Sequence, residues 1–176
     1  MELNYEITER DYILFNQYYM MKSDTGKKMR LVAKTVFPIT LLCICAVVGI
    51  RNGSSLIGAL LGLLFALLFV ALTDRIFLWS AKFSVKMMQK SRELPYPQVG
   101  KYIFYEDRIT DVNAKGEQTV FYAAIKKACC TVDAVYIFIE SNQAFIVPYR
   151  LFPDANAKND FVAFLRTKIF VEETGK

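Results

Sequence analysis

The stretch Leu56 to Thr73, LIGALLGLLFALLFVALT, runs for eighteen residues without a charge. As a helix rising 1.5 Å per residue it covers about 27 Å, close to the roughly 30 Å of bilayer hydrocarbon. It reads as a membrane span. Ala33 to Ile50, AKTVFPITLLCICAVVGI, is nearly as apolar, and only Arg51 to Ser55 separate the two. So short a connection predicts antiparallel neighbours: a transmembrane hairpin within 31–92, with spans at about 33–50 and 56–79 and a cytosolic extension of the second helix. An apolar content of 54% and a mean hydropathy of +0.25 exceed what an average soluble domain carries, and the hairpin supplies the excess.

The net charge of +5 raises the question of an anionic partner, and its distribution answers it. Residues 98–176 hold ten basic and ten acidic side chains, whereas residues 1–97 hold twelve basic against seven acidic, the whole excess of five. Lys22, Lys27, Lys28, Arg30 and Lys34 precede the first span, and Arg75, Lys82, Lys86, Lys90 and Arg92 follow the uncharged run of the second; the turn carries only Arg51. By the positive-inside rule both termini are cytoplasmic, in a multi-pass protein of the cell membrane. A charge-balanced domain lacks the basic face that nucleic acid requires. The first apolar segment begins some thirty residues in, with no cleavage pattern after it, so the hairpin is expected to stay in the mature protein.

The N-terminal piece, 1–30, alternates over Leu3 to Ile7 as a short strand does. Thr8 then caps a helix from Glu9 to about Lys22, with Asp11 at the capping-box position. Tyr12, Phe15, Tyr18 and Tyr19 share one side of that helix, suited either to the headgroup zone or to packing on a cytosolic domain. Pro38 stands one turn into the first span, where it can bend the helix.

Counting outward from the turn, Lys34 lies nineteen residues before Gly53 and Asp74 lies twenty-one after it. An antiparallel hairpin puts them at nearly one depth, so Lys34 and Asp74 are a candidate intramembrane ion pair; snorkelling of Lys34 to the interface is the competing reading. Gly58 and Gly62 form a GxxxG that Ala66 extends, a candidate helix-packing stripe whose partner is the first span or a second copy. Past Trp79, the lysines Lys82, Lys86 and Lys90 form a stripe suited to anionic headgroups, or simply a topology signal. A proline linker at 93–97 ends the helix.

From 98 to 176 the period changes to that of strands. Lys101–Tyr105, Arg108–Asn113, Glu117–Tyr122, Lys127–Val132, Val135–Glu140 and Ala144–Pro148 are expected strands, joined by turns short enough for an antiparallel meander. A helix from Pro153-Asp154 to about Phe170 presents Ala157, Phe161, Phe164, Leu165 and Ile169 on one side, to cover a single sheet; Glu172-Glu173 reads as a solvated tail.

Several of these stretches together, namely Tyr5-x-x-Thr8-x-x-Asp11-Tyr12, the charged entry to the hairpin, Tyr122-Ala-Ala-Ile125 and Ala144-Phe-Ile-Val-Pro-Tyr-Arg-Leu-Phe152, resemble the YcxB-like family of small bacterial membrane proteins. The resemblance implies an α+β membrane protein: the two-helix hairpin plus a cytosolic, antiparallel pleckstrin-homology-like (PH-like) β-barrel or curved sheet capped by a C-terminal helix. It transfers no catalytic residue.

The residues themselves carry no catalytic set. GxSxG, P-loop, dinucleotide and HExxH motifs are absent, and there is no histidine. Four cysteines, two in the first span and the adjacent Cys129 and Cys130, are too few and badly placed for a metal, so no cofactor is expected. Lys126 and Lys127, beside Phe121-Tyr122, are candidate contacts for a phosphorylated headgroup. The expectation is a non-enzymatic integral membrane protein with two readings of its role. In the first, the tethered PH-like domain binds a protein segment or lipid headgroup, as a scaffold or regulator. In the second, an accessory or self-protection subunit acts through the hairpin on a transporter or membrane-active peptide. The partners are thus the bilayer and either another membrane protein or a second copy.

Overall fold

The computed structural model describes residues 1–90, 99–140 and 143–173, without the side chains of 88–90. The expected proline linker at 93–97 and the Ser141-Asn142 turn lie outside the described residues. The chain divides into two compact units, Asn16–Ser84 and the combination of Met1–Phe15 with Val85–Lys176. The first is therefore inserted, in sequence, into the second.

In order, the elements are β1 (Glu2–Glu6), α1 (Glu9–Lys22), α2 (Asp24–Arg51), α3 (Ser55–Lys90), β2 (Val99–Phe104), β3 (Arg108–Asn113), β4 (Gly116–Phe121), β5 (Lys127–Cys130), β6 (Ala134–Phe138), β7 (Ala144–Pro148), α4 (Ala155–Lys168) and β8 (Val171–Glu173). The protein is α+β, with two long apolar helices and two sheets.

Three of the helix starts, those of α1, α2 and α4, have side-chain caps. Thr8 and Asp11 form the expected box, Ser23 accepts from the Gly26 amide at 2.9 Å, and Asp154 accepts from the Ala157 amide at 2.8 Å. Helices α2 and α3 form an antiparallel hairpin, which the cross-helix pairs establish: Lys34 meets Asp74, Phe37 stacks on Phe69, and Gly49 abuts Gly58. The sum of the paired residue numbers stays nearly constant, as antiparallel neighbours require. The connection is closed by Gly53, whose φ of +67° favours a residue without Cβ, and by the Ser54 amide donating to the Gly49 carbonyl. Pro38 is accommodated inside α2 and buried. The second half of α1 packs within this unit: Gln17 donates to the Leu78 carbonyl and Ser80 approaches the Met20 sulfur.

The other unit carries the sheets. One has the order β1-β2-β3-β4, all antiparallel; the other has the order β7-β6-β5-β8, with β8 parallel to β5. This corrects the single meander. The chain leaves β4 through a 3-10 turn, Tyr122–Ala124, instead of another hairpin. The cause is Tyr122, which turns inward to bury its ring against Phe164 while its hydroxyl donates to the Tyr105 carbonyl. A second correction concerns the tail: Glu172 and Glu173 belong to β8, where they pair with Lys127 and Arg166, because the Ala128 amide takes the Phe170 carbonyl and starts a parallel ladder. The core is aromatic and aliphatic. Phe161 and Leu165 of α4 are buried, Phe161 meeting Phe104 edge-on at 5.0 Å, and Phe15 of α1 meets Tyr136 at 5.3 Å. The tyrosine-rich side of α1 thus serves packing at Phe15.

Candidate functional site

Within the hairpin, Lys34 of α2 faces Asp74 of α3. Lys34 Nζ lies 3.0 Å from Asp74 Oδ2, and Arg30 donates to Asp74 Oδ1 at 2.9 Å. Arg30 precedes Lys34 by one turn, so both cations project from the same face of α2. Arg30 also donates to the Met21 carbonyl at 2.8 Å, tying the α1–α2 corner to the cluster. Two cations share one carboxylate, leaving a net positive charge. The sequence pointed to Lys34 and Asp74 but not to Arg30, although its i−4 spacing from Lys34 was visible.

The small stripe is used inside the hairpin. A Cβ on Gly58 would stand 2.6 Å from the Cys45 carbonyl oxygen and 2.7 Å from Gly49 Cα, and one on Gly62 would stand 2.9 Å from Cys45 Cβ. Ala66, one turn on, is buried. Gly49, which sequence spacing did not single out, supplies the opposite side of this contact.

Of the candidate headgroup contacts, Lys82 and Lys86 are exposed one turn apart on α3, next to the stacked pair Trp79 and Phe83. The Lys90 side chain lies outside the described residues. Lys126 is exposed, but Lys127 is half-buried and its Nζ sits 2.7 Å from Glu172 Oε2, so the Lys-Lys pair does not present two uncompensated charges.

The two signature stretches, 139 residues apart, meet in the sheet-bearing unit. Asp11 receives the Thr8 amide at 2.7 Å and the Thr8 hydroxyl at 2.6 Å on one oxygen, and Arg150 on the other. The second terminal nitrogen of Arg150 donates to the Glu6 carbonyl. Burial alone would raise the Asp11 pKa, but the hydrogen bonds from Arg150 and Thr8 outweigh it and hold the carboxyl below its ordinary value. A depressed folded-state pKa adds stability above the unfolded pKa, and that increment is lost as pH falls through the folded value. Asp111 is the opposite case. It is buried, accepts from Tyr5 at 2.8 Å and from Asn113 at 2.8 Å, and desolvation raises its pKa despite those two bonds. Its proton is held more tightly folded than unfolded, so its contribution is present below the unfolded pKa and is lost as pH rises through the folded one.

We expect Asp11→Asn to cost about 2 kcal/mol at pH 7, the scale of hydrogen bonds to a charged group, and to flatten the acid limb of the stability profile. Denaturant titrations of the full chain at pH 7 and at pH 2, well below the ordinary carboxylate value, check this. Equal losses at both pH values would contradict it.

Fold and contacts define the class first: an α+β protein in which a long apolar helical hairpin is inserted behind the first strand of a two-sheet unit. Residues 104–165, from the end of β2 through most of α4, match the family model described as YcxB-like protein. The chain thus carries a YcxB-like domain over those residues, in agreement with the resemblance of its sequence to that family. Arg150 falls inside the match and Asp11 outside it, so their contact joins the matched region to the N-terminal strand and helix. No curated protein and no solved structure matches the chain.

Proposed function

We propose that this is a non-enzymatic integral membrane protein of the cell membrane, whose YcxB-like, PH-like domain is a cytosolic binding module tethered by a two-span hairpin. The observation that carries the reading is the outer surface of that hairpin. Ile39, Ile50, Leu56, Leu60, Leu64 and Leu67 are each 59–72% exposed. Within the most apolar eighteen-residue windows of the two helices only 6% and 17% of residues are buried, where the core helix of a soluble protein would be mostly buried. Leaving that much apolar surface in water is costly at about 25 cal/mol per Å², and lipid removes the cost. The cations at 27–34 and 75–92 against a lone Arg51 in the turn support cytoplasmic termini. The PH-like reading rests on the order of elements, two sheets followed by a terminal helix whose buried Phe161 and Leu165 face the core.

The binding-module reading is favoured over action through the hairpin because Gly58, Gly62 and Ala66 are turned inward, which takes away the small-residue face that a second helix would use. Partners are accordingly the bilayer and a ligand of the domain, a protein segment or a lipid headgroup. The test is a topology assay on the full chain: a reporter after Lys176 is expected to report cytosol, and a cysteine at Ser54 in a thiol-free background is expected to label from outside intact cells. A reporter active outside, or release of the chain by alkaline carbonate, would overturn the tethering.

A further inference from the structure

The sheet-bearing unit contains a cleft of about 360 Å³ between α4 and the β5–β8 edge, a volume at the lower end of small-molecule sites. Its lining is polar. Lys158, Val162 and Arg166 recur every four residues along α4, so the two cations face the cleft two turns, about 12 Å, apart. At one end, Lys158 Nζ lies 4.4 Å from the centre of the Tyr149 ring and, among the described residues, forms no ion pair. At the other end, Arg166 pairs with Glu173, the last residue of β8, which the ladder sets beside Cys130. Two cations therefore face one carboxylate, and that carboxylate is supplied by the chain itself on a three-residue strand. Exposed pairs of this kind contribute little stability, so Glu173 is a weakly held occupant of Arg166. Asn159 and Thr131 add further polar residues to the lining.

We propose that this cleft binds a small molecule carrying two phosphate groups, one at Lys158 and one at Arg166, with Glu173 acting as an internal competitor that the second phosphate displaces. A single inorganic ion would fill a fraction of the space and satisfy one cation, whereas phosphates held several ångströms apart match both. Guanidinium recognises phosphate through parallel hydrogen bonds, and the ammonium adds a point charge. The proposal rests on the reading of the domain as a binding module and names its ligand class. The same chemistry is offered by a soluble bisphosphate or by lipid phosphates, and the test separates them.

The probe is fructose 1,6-bisphosphate, titrated calorimetrically into the full chain in neutral phosphatidylcholine nanodiscs. Saturable binding is expected, weakened about tenfold in Lys158→Ala and in Arg166→Ala, the size of one charge-assisted contact. Glu173→Gln is expected to tighten binding several-fold, a gain that a misfolded variant cannot produce. Repeating the titration in phosphatidylcholine nanodiscs doped with cardiolipin, a lipid that carries two phosphates, identifies the source: a raised apparent Kd in wild type, absent in Lys158→Ala, assigns the site to lipid headgroups, and an unchanged Kd assigns it to a soluble ligand. No saturable binding, or binding indifferent to both Lys158→Ala and Glu173→Gln, would overturn the proposal. The same titration on detergent-solubilised chain reads the cleft whether or not the hairpin spans lipid, so its failure is distinguishable from failure of the topology assay.

Discussion

Replacing Gly58 with valine is expected to separate α2 from α3 and to produce the largest single loss of stability in the hairpin. The added side chain would enter space already held by backbone: the Cys45 carbonyl oxygen at 2.6 Å and Gly49 Cα at 2.7 Å from the new Cβ. Neither can swing away as a flexible side chain would, so one helix has to move. Overpacking of a tight contact costs about 1–3 kcal/mol, and the absence of any yielding neighbour puts this case near about 3 kcal/mol. Gly53→Ala is the instructive control. A Cβ there meets nothing within 4 Å, and its cost comes only from the φ of +67°, about 1 kcal/mol. Unfolding of the full chain in mixed micelles, followed by the fluorescence of the single Trp79, measures both. If Gly58→Val unfolds with the wild-type midpoint, the close approach of the two helices is wrong.

The second large effect is expected at Asp74. Removing this carboxylate in Asp74→Ala leaves Arg30 and Lys34 adjacent on one face of α2 with no counter-charge. Their side chains are 18% and 32% exposed, and that of Asp74 is 43% exposed. The cost therefore lies between that of an exposed pair, about 0–1 kcal/mol, and that of breaking a buried one, about 3–5 kcal/mol; about 2 kcal/mol is expected. Adding Arg30→Gln to Asp74→Ala should recover part of the loss, because it relieves repulsion between the remaining cations. Were the double variant less stable than Asp74→Ala alone, Arg30 would owe its place to the Met21 carbonyl and not to the carboxylate.

Much of the local structure was legible because local structure follows from periodicity. The strands Arg108–Asn113 and Ala144–Pro148 and the helix Glu9–Lys22 fall where alternation and capping put them. The pairing of Lys34 with Asp74 was legible for a different reason: a five-residue connection leaves two antiparallel helices one register, so depth can be counted. Other features were hidden by distance along the chain. The strand Glu2–Glu6 pairs with Val99–Phe104 across the whole inserted hairpin, and no pattern in either segment names the other. Val171–Glu173 looked like a tail because three residues carry no period, and only the free edge of β5 makes them a strand. Arg150 reaches Asp11 because the fold brings β7 beside the start of α1, although both residues stood in stretches that the sequence already marked.

Taken alone, the order of residues determined most of the segments that are helix or strand, that two of them carry a long apolar run, and that basic residues gather at one end of both. These depend on neighbours a few positions away, where spacing is fixed by covalent geometry. The tertiary structure decided which strands share a sheet, that the glycine stripe is spent inside the hairpin, and that Lys158, Arg166 and Glu173 face a common cleft. Such choices depend on which surfaces meet after loops close, and loop closure is governed by packing over the whole chain rather than by any one segment.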